Sequence, residues 1–165
     1  LTATFQYHSG QWPVYYSHTN TGRPTNESEW TCKYRDAPLF PLYCFGYGLS
    51  YTEFEYSNLR LEKDGEELKA TVTVKNIGDM AGEETVQLYI HRRNATRVRP
   101  VKELKGYAKA FLQPGEEKEV TITVSRDLLG YFDMNAEYVT DESEFDIWMA
   151  HDSTCELGCH QVIEF

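Results

Sequence analysis

Leu68-Lys69-Ala70-Thr71-Val72-Thr73-Val74-Lys75 alternates apolar and polar side chains without a break. Successive side chains of an extended strand point to opposite faces. This register therefore puts Leu68, Ala70, Val72 and Val74 in a core and leaves Lys69, Thr71, Thr73 and Lys75 to water. The same period of two recurs downstream. Val86, Leu88 and Ile90 repeat it, as do Val120, Ile122 and Val124, while Phe145, Ile147 and Met149 alternate with Asp146 and Trp148. Turn residues separate the runs: Asp64-Gly65, Asn76-Ile77-Gly78-Asp79, Pro114-Gly115 and Asp141-Glu142-Ser143. No segment carries a sustained helical stripe.

Short strands are expected near 55–62, 67–76, 84–91, 103–112, 117–124, 144–150 and 159–165. About seven of them, joined by tight turns, make the chain mainly β and point to an immunoglobulin-like or fibronectin type III-like sandwich. The basic stretch from Arg92 to Arg99 reads as a loop crossing between the two sheets, and Trp148, at a strand centre, as a ring covered by the preceding segment or by an adjacent domain.

Composition changes near residue 52. Residues 1–52 hold twelve of the 23 aromatic side chains with three basic and three acidic groups, whereas residues 53–165 carry 13 basic and 23 acidic ones. A self-sufficient domain wears such charge on its solvated face. An aromatic stretch punctuated by Pro and Gly is instead expected to bury itself against something else. The reading is an N-terminal extended segment, 1–52, followed by a sandwich domain, 53–165. Left open, the segment would expose Phe5, Trp12, Tyr15, Tyr16, Trp30, Phe40 and Phe45, so it should fold back on the sandwich or be shared between copies of the chain. Leu1-Thr2-Ala3-Thr4 has neither an initiator Met nor the basic and apolar regions of a signal peptide, and is read as an internal point of a longer chain.

The net charge of −10, with no Lys/Arg stripe, argues against a nucleic-acid partner. The uncharged run 37–52 contains two prolines and two glycines and falls short of the roughly 20 apolar residues of a membrane helix, so no membrane partner is expected either. Cys32, Cys44, Cys155 and Cys159 are read as free thiols, because a chain of 165 residues has core enough without staples. Asn26-Glu27-Ser28 and Asn94-Ala95-Thr96 fit the N-glycosylation pattern. A bacterial cytoplasm and a secreted location both fit these features. Cys155, Cys159 and His160 lack a second ligand pair at zinc-site spacing and are read as ordinary thiols and a surface ring.

Several strings are similar to the C-terminal region of the family 3 glycoside hydrolases, the β-glucosidase and β-xylosidase type enzymes. Pro41-Leu42-Tyr43-Cys44-Phe45-Gly46-Tyr47-Gly48-Leu49-Ser50-Tyr51-Thr52 resembles that family's linker into its fibronectin-like domain, departing at Cys44, where the family has proline. Val74-Lys75-Asn76-Ile77-Gly78, Ala81-Gly82-Glu83, Val86-Gln87-Leu88-Tyr89-Ile90, Arg99-Pro100-Val101-Lys102-Glu103-Leu104-Lys105-Gly106-Tyr107 and Leu112-Gln113-Pro114-Gly115-Glu116 continue the likeness in order. Leu1 to Phe5, Trp12-Pro13-Val14-Tyr15-Tyr16 and Thr21-Gly22-Arg23-Pro24 resemble the end of the preceding α/β sandwich domain. Ser143 and Ala150-His151 stand where the family usually has glycines.

The resemblance implies that 1–52 is the tail of that α/β domain plus linker and that 53–165 is a non-catalytic module bracing the catalytic domains. Retaining glycoside hydrolysis uses two carboxyl groups about 5–5.5 Å apart. The resemblance puts the nucleophilic Asp in an N-terminal barrel and the acid/base Glu earlier in the α/β domain, neither of which lies in these residues. No catalytic residue, metal or cofactor is therefore expected here, and a charged run such as Glu116-Glu117-Lys118-Glu119 is a solvated face. Trp12, Tyr15, Tyr16, Trp30 and Tyr34 are candidate sugar or domain contacts. As domain contacts they would dock the module. In the alternative, a carbohydrate-binding module, they would form an aromatic platform, and only that alternative gives saturable oligosaccharide binding in isothermal titration.

Overall fold

The computed structural model describes residues 1–11, 14–20, 38 and 40–165. In chain order the elements are β1 (Phe54–Asp64), β2 (Glu67–Asn76), β3 (Gly82–Arg92), β4 (Glu103–Leu112), β5 (Glu117–Ser125), a single-turn α1 (Arg126–Leu129), β6 (Tyr131–Phe132), β7 (Tyr138–Val139), β8 (Glu144–Ala150) and β9 (Cys159–Glu164). β1, β2 and β5 form one antiparallel sheet in the order β1-β2-β5, and the other is ordered β4-β3-β8-β9. The expected strands are all present, with ends displaced by two residues or fewer. Three strands facing four in this order is the fibronectin type III-like sandwich.

Register explains the core. Leu68, Ala70 and Val72 of β2 lie opposite Val124, Ile122 and Val120 of β5, while Leu88 and Ile90 of β3 lie opposite Met149 and Ile147 of β8. These inward side chains are buried or nearly so. Slipping any strand by one residue would turn its whole apolar set outward, which is why the alternation fixes the pairing. In β1 the alternation is interrupted: Asn58 adopts φ 54° where the register shifts between Ser57 and Arg60. This bulge delivers Leu59 to the core, and its carbonyl accepts a hydrogen bond from Gln161 Nε2 at 2.6 Å. Gly106 of β4 sits opposite Leu88, and a Cβ there would lie 2.6 Å from Ile122 Cγ2 of the facing sheet. A side chain at this position would push the sheets apart.

The stretch 92–99 does not cross between sheets as expected. β3 and β4 are antiparallel neighbours, so the loop leaves and rejoins the same sheet. Its arginines are held locally. Arg92 is buried, donating to the Asp141 carboxylate and lying 4.8 Å from the Tyr131 ring centroid, while Arg99 pairs with Glu103 at 2.6 Å. α1 and the β6–β7 hairpin were not expected; one turn and two residue pairs are too short to show a period.

Candidate functional site

Functional contacts concentrate on the outer face of the four-stranded sheet. The parity that sends Val86, Leu88 and Ile90 inward sends Gln87, Tyr89 and His91 outward, and on β8 it turns out Asp146 and Trp148. An outward strand position normally meets water. Here Tyr89 is wholly buried and Gln87 nearly so, because the N-terminal segment lies over them. Tyr16 stacks on Phe45 at 4.3 Å between centroids and meets Tyr89 edge-on at 5.9 Å.

Gln87 is the polar anchor of this contact. Its Nε2 donates to the Gly46 carbonyl at 3.1 Å and to the His151 carbonyl, and its Oε1 accepts from Tyr89 Oη at 2.6 Å. Gly46 has φ +83°, in the region that favours glycine, and a Cβ there would lie 2.3 Å from Gln87 Oε1. Further contacts secure the rest of the segment. Val101 N donates to His18 O at 2.8 Å, Ser153 N to Phe45 O at 3.0 Å, and Thr52 Oγ1 to Asn76 Oδ1 at 2.6 Å. Phe5 forms a bridge with Tyr43, so one strand-like stretch of the segment finds a partner within the segment itself. The described residues of the segment fold back on the sandwich.

Two grooves flank the linker. One, of about 430 Å³, is lined by Gly46 to Ser50, Glu84, Gln87, Leu104, Tyr107 and His151; the other, of about 570 Å³, by Thr52 to Tyr56, Ile77, Glu84, His151 and Leu157. Glu84, which lines both, is already engaged. Glu84 accepts from Tyr56 Oη at 2.6 Å, and burial together with that carboxylate pushes the Tyr56 phenol up, keeping it a donor. Burial pushes the Asp152 carboxyl up, but hydrogen bonds from His151 and Thr154 outweigh it and hold Asp152 well below the usual carboxylate range. The bond to Asp152 raises His151 against the effect of its own burial, and Glu84 adds to the rise.

The pair has a pH signature. Asp152, with its folded pKa depressed, contributes stability above its unfolded value near 3.8 that is lost as pH falls through the folded value. His151, with its folded pKa raised, contributes stability below its unfolded value near 6.5 that is lost as pH rises through the folded value. The pair therefore stabilises most between roughly pH 4 and 6.5. Melting curves of the wild type and His151→Ala should differ most near pH 5.5 and converge toward pH 9, on the order of the window above. A pH-independent difference would refute the pairing.

Of the candidate contacts, Tyr16 has one ring face occupied by Phe45, and Tyr15 is 64% exposed on a groove of about 220 Å³ that also includes Tyr16, Phe40, Cys44, Lys102 and Thr154. Trp12, Trp30 and Tyr34 lie outside the described residues, as do Cys32 and the Asn26 acceptor triplet. Trp148 is half-buried: His160 stacks on it at 4.9 Å and the Lys102 ammonium lies 5.4 Å from its ring centroid. Beside it Asp146 receives Arg93 at 2.7 and 2.8 Å and bonds His160 at 2.8 Å. Arg93 holds the Asp146 carboxyl down. Gln87, Glu84 and Asp152 were missed in the sequence; the available signal was a polar residue inside an apolar strand run, as at Gln87 between Val86 and Leu88.

Among the described residues, no group of three or more His, Cys, Asp or Glu side chains is placed to hold a metal ion, and no helix is long and apolar enough to cross a membrane. The description "Fibronectin type III-like domain" matches residues 84–153. A periplasmic β-glucosidase from Salmonella typhimurium is 39% identical over 93% of this chain and 21% of its own length, and a putative β-xylosidase from Formosa agariphila is 36% identical over 88% and 20%. The β-glucosidase from Listeria innocua, solved with glucose, superposes with a TM-score of 0.89 at 38% identity over 99% of this chain and 24% of that one. The chain thus spans about a fifth of the length of the curated relatives it matches.

Proposed function

Since this chain belongs to the fibronectin type III-like C-terminal region of the family 3 glycoside hydrolases, we propose that it works as a brace for the catalytic domains of a larger enzyme cleaving β-linked glucosides or xylosides. In this reading residues 53–165 are the rigid body of the brace and residues 1–52 the tail of the preceding α/β domain with its linker. Hydrolysis itself is carried by carboxylates outside these residues, without a cofactor.

One observation carries the reading: the segment is locked to the sandwich on one side and apolar on the other. Leu49 and Tyr51 are 89% and 91% exposed, and Phe5, Tyr7, Tyr15 and Phe40 are exposed as well. So many large apolar side chains on one short segment mark a surface for another protein body. In the parent enzyme that body is the α/β domain. In isolation the nearest substitute is a second copy of the chain.

Light scattering on this chain and on a version starting at Glu53 tests the proposal. The longer form should associate as concentration rises and the shorter should stay monomeric. If both were monomers, and protease removed residues 1–40 from the longer form at once, the docking surface would not exist.

A further inference from the structure

Two of the four cysteines lie near the contact between the linker and the turn joining β8 to β9: Cys44 in the linker and Cys155 in the turn, close enough for Cys44 to act electrostatically on the Cys155 thiol. Cys44 stands in the linker at the position where the resembling string has proline. The next residue, Phe45, accepts a backbone hydrogen bond from Ser153 at 3.0 Å, which brings the linker against residues 152–155. Cys44 lines a groove together with Ser153 and Thr154, and the Asp152 carboxylate is close enough to act on its thiol. From the other side, Cys155 Sγ lies 3.6 Å from Asp152 O and 3.8 Å from Ser153 O. Cys44 and Cys155 therefore both lie beside the 152–154 stretch.

That turn is firmly set. Thr154 donates to Asp152 Oδ1 through its N–H at 2.8 Å and its hydroxyl at 2.6 Å, and Lys102 Nζ donates to Ser153 O at 2.9 Å and Thr154 O at 2.8 Å. Cys155 holds φ 61°, and its carbonyl accepts from Gly158 N at 3.3 Å, so the chain turns before β9 begins. The turn separates Cys155 from Cys159. Cys159 pairs in register with the inward residue Met149 and packs against the core, whereas Cys155 sits in the turn whose Ser153 N–H bonds the linker's Phe45 carbonyl.

We propose that Cys44 and Cys155 are a disulfide-forming pair that staples the linker to the β8–β9 turn when the protein meets an oxidising low-molecular-weight disulfide. The first step falls to Cys44, which lines the open groove of about 220 Å³. Its thiolate attacks one sulfur of the small disulfide, breaking that S–S bond and releasing one small thiol. The Cys155 thiolate then attacks the Cys44 sulfur and expels the second small thiol. The protein loses two protons and two electrons as one S–S bond forms, and the small disulfide gains them. Burial raises both thiols, Cys155 to about 11, so the reactive thiolates are scarce at neutral pH and closure should quicken as the solution becomes more alkaline.

The test is oxidation of the purified chain with oxidised glutathione at pH about 8.5, followed by denaturation, alkylation and peptide mapping. Alkylatable thiols should fall from four to two, with one cross-linked pair of peptides holding Cys44 and Cys155. Cys44→Ser and Cys155→Ser should each abolish that cross-link, and Cys159→Ser should keep it. Four remaining thiols, or a map joining Cys155 to Cys159 or either one to Cys32, would overturn the proposal. The wild-type map decides this even if a serine variant fails to fold.

Discussion

Gly46→Val is expected to release residues 1–52 from the sandwich while leaving the sandwich folded. Valine at φ +83° carries the left-handed penalty of a β-branched residue, on the order of 1–2 kcal/mol. Its Cβ would also stand 2.3 Å from Gln87 Oε1 and 2.9 Å from Tyr89 Oη, both on buried side chains. Gln87 must then leave its place, and the Tyr89 hydroxyl loses the acceptor it holds at 2.6 Å, a buried orphan costing about 1–3 kcal/mol. A total near 3 kcal/mol corresponds to roughly a hundredfold greater population of the undocked state. Limited proteolysis within residues 1–52 should accelerate by about that factor, while the urea midpoint of the 53–165 body stays nearly unchanged. Unaltered proteolysis would show that Gln87 and Tyr89 do not hold the linker.

The second large effect is expected at Asn76, which is fully buried where three segments meet. Its Nδ2 donates to Met80 O at 2.7 Å and Leu112 O at 3.2 Å, while its Oδ1 accepts from Thr52 Oγ1 at 2.6 Å and Gly78 N at 3.1 Å. One side chain thus ties the end of the linker, the β2–β3 turn and the end of β4. Asn76→Ala deletes four hydrogen bonds and strands partly buried carbonyls, so unfolding free energy should fall by about 3 kcal/mol. Asn76→Asp keeps the acceptors but aims a carboxylate at two carbonyl oxygens. It should be at least as damaging at neutral pH and recover partly in acid, where a protonated oxygen can donate to one of them. Urea denaturation at two pH values measures both, and a loss below about 1 kcal/mol for alanine would deny Asn76 this role.

The sandwich was legible because its core obeys a period of two. Leu68 to Val74 and Val120 to Val124 are dictated by burial, and burial leaves the same mark wherever the strand sits. β1 was placed without a quoted alternation, since the bulge at Asn58 breaks the pattern. The course of the Arg92–Arg99 loop was misread because charge says nothing about which strand comes next, whereas the pairing of Leu88 with Gly106 across the β3–β4 ladder does. The docking face was legible only in part. Its aromatic richness announced a need for burial, but not that Tyr16 and Phe45 would cover Tyr89, or that Gln87 would span Gly46 and His151. Those contacts depend on the three-dimensional overlap of residues far apart in sequence, and no local period encodes it.

That this module contributes no chemistry of its own is tested most directly by assaying the purified chain on aryl β-glucosides, β-xylosides and α-arabinofuranosides. No hydrolysis above the buffer rate is expected, because the carboxylates that the family resemblance assigns to catalysis lie outside these residues, while the buried acids Glu84 and Asp152 are committed to Tyr56, His151 and Thr154. Turnover that co-purifies with the chain and disappears on Glu84→Gln or Asp152→Asn, in variants that still fold, would contradict this account.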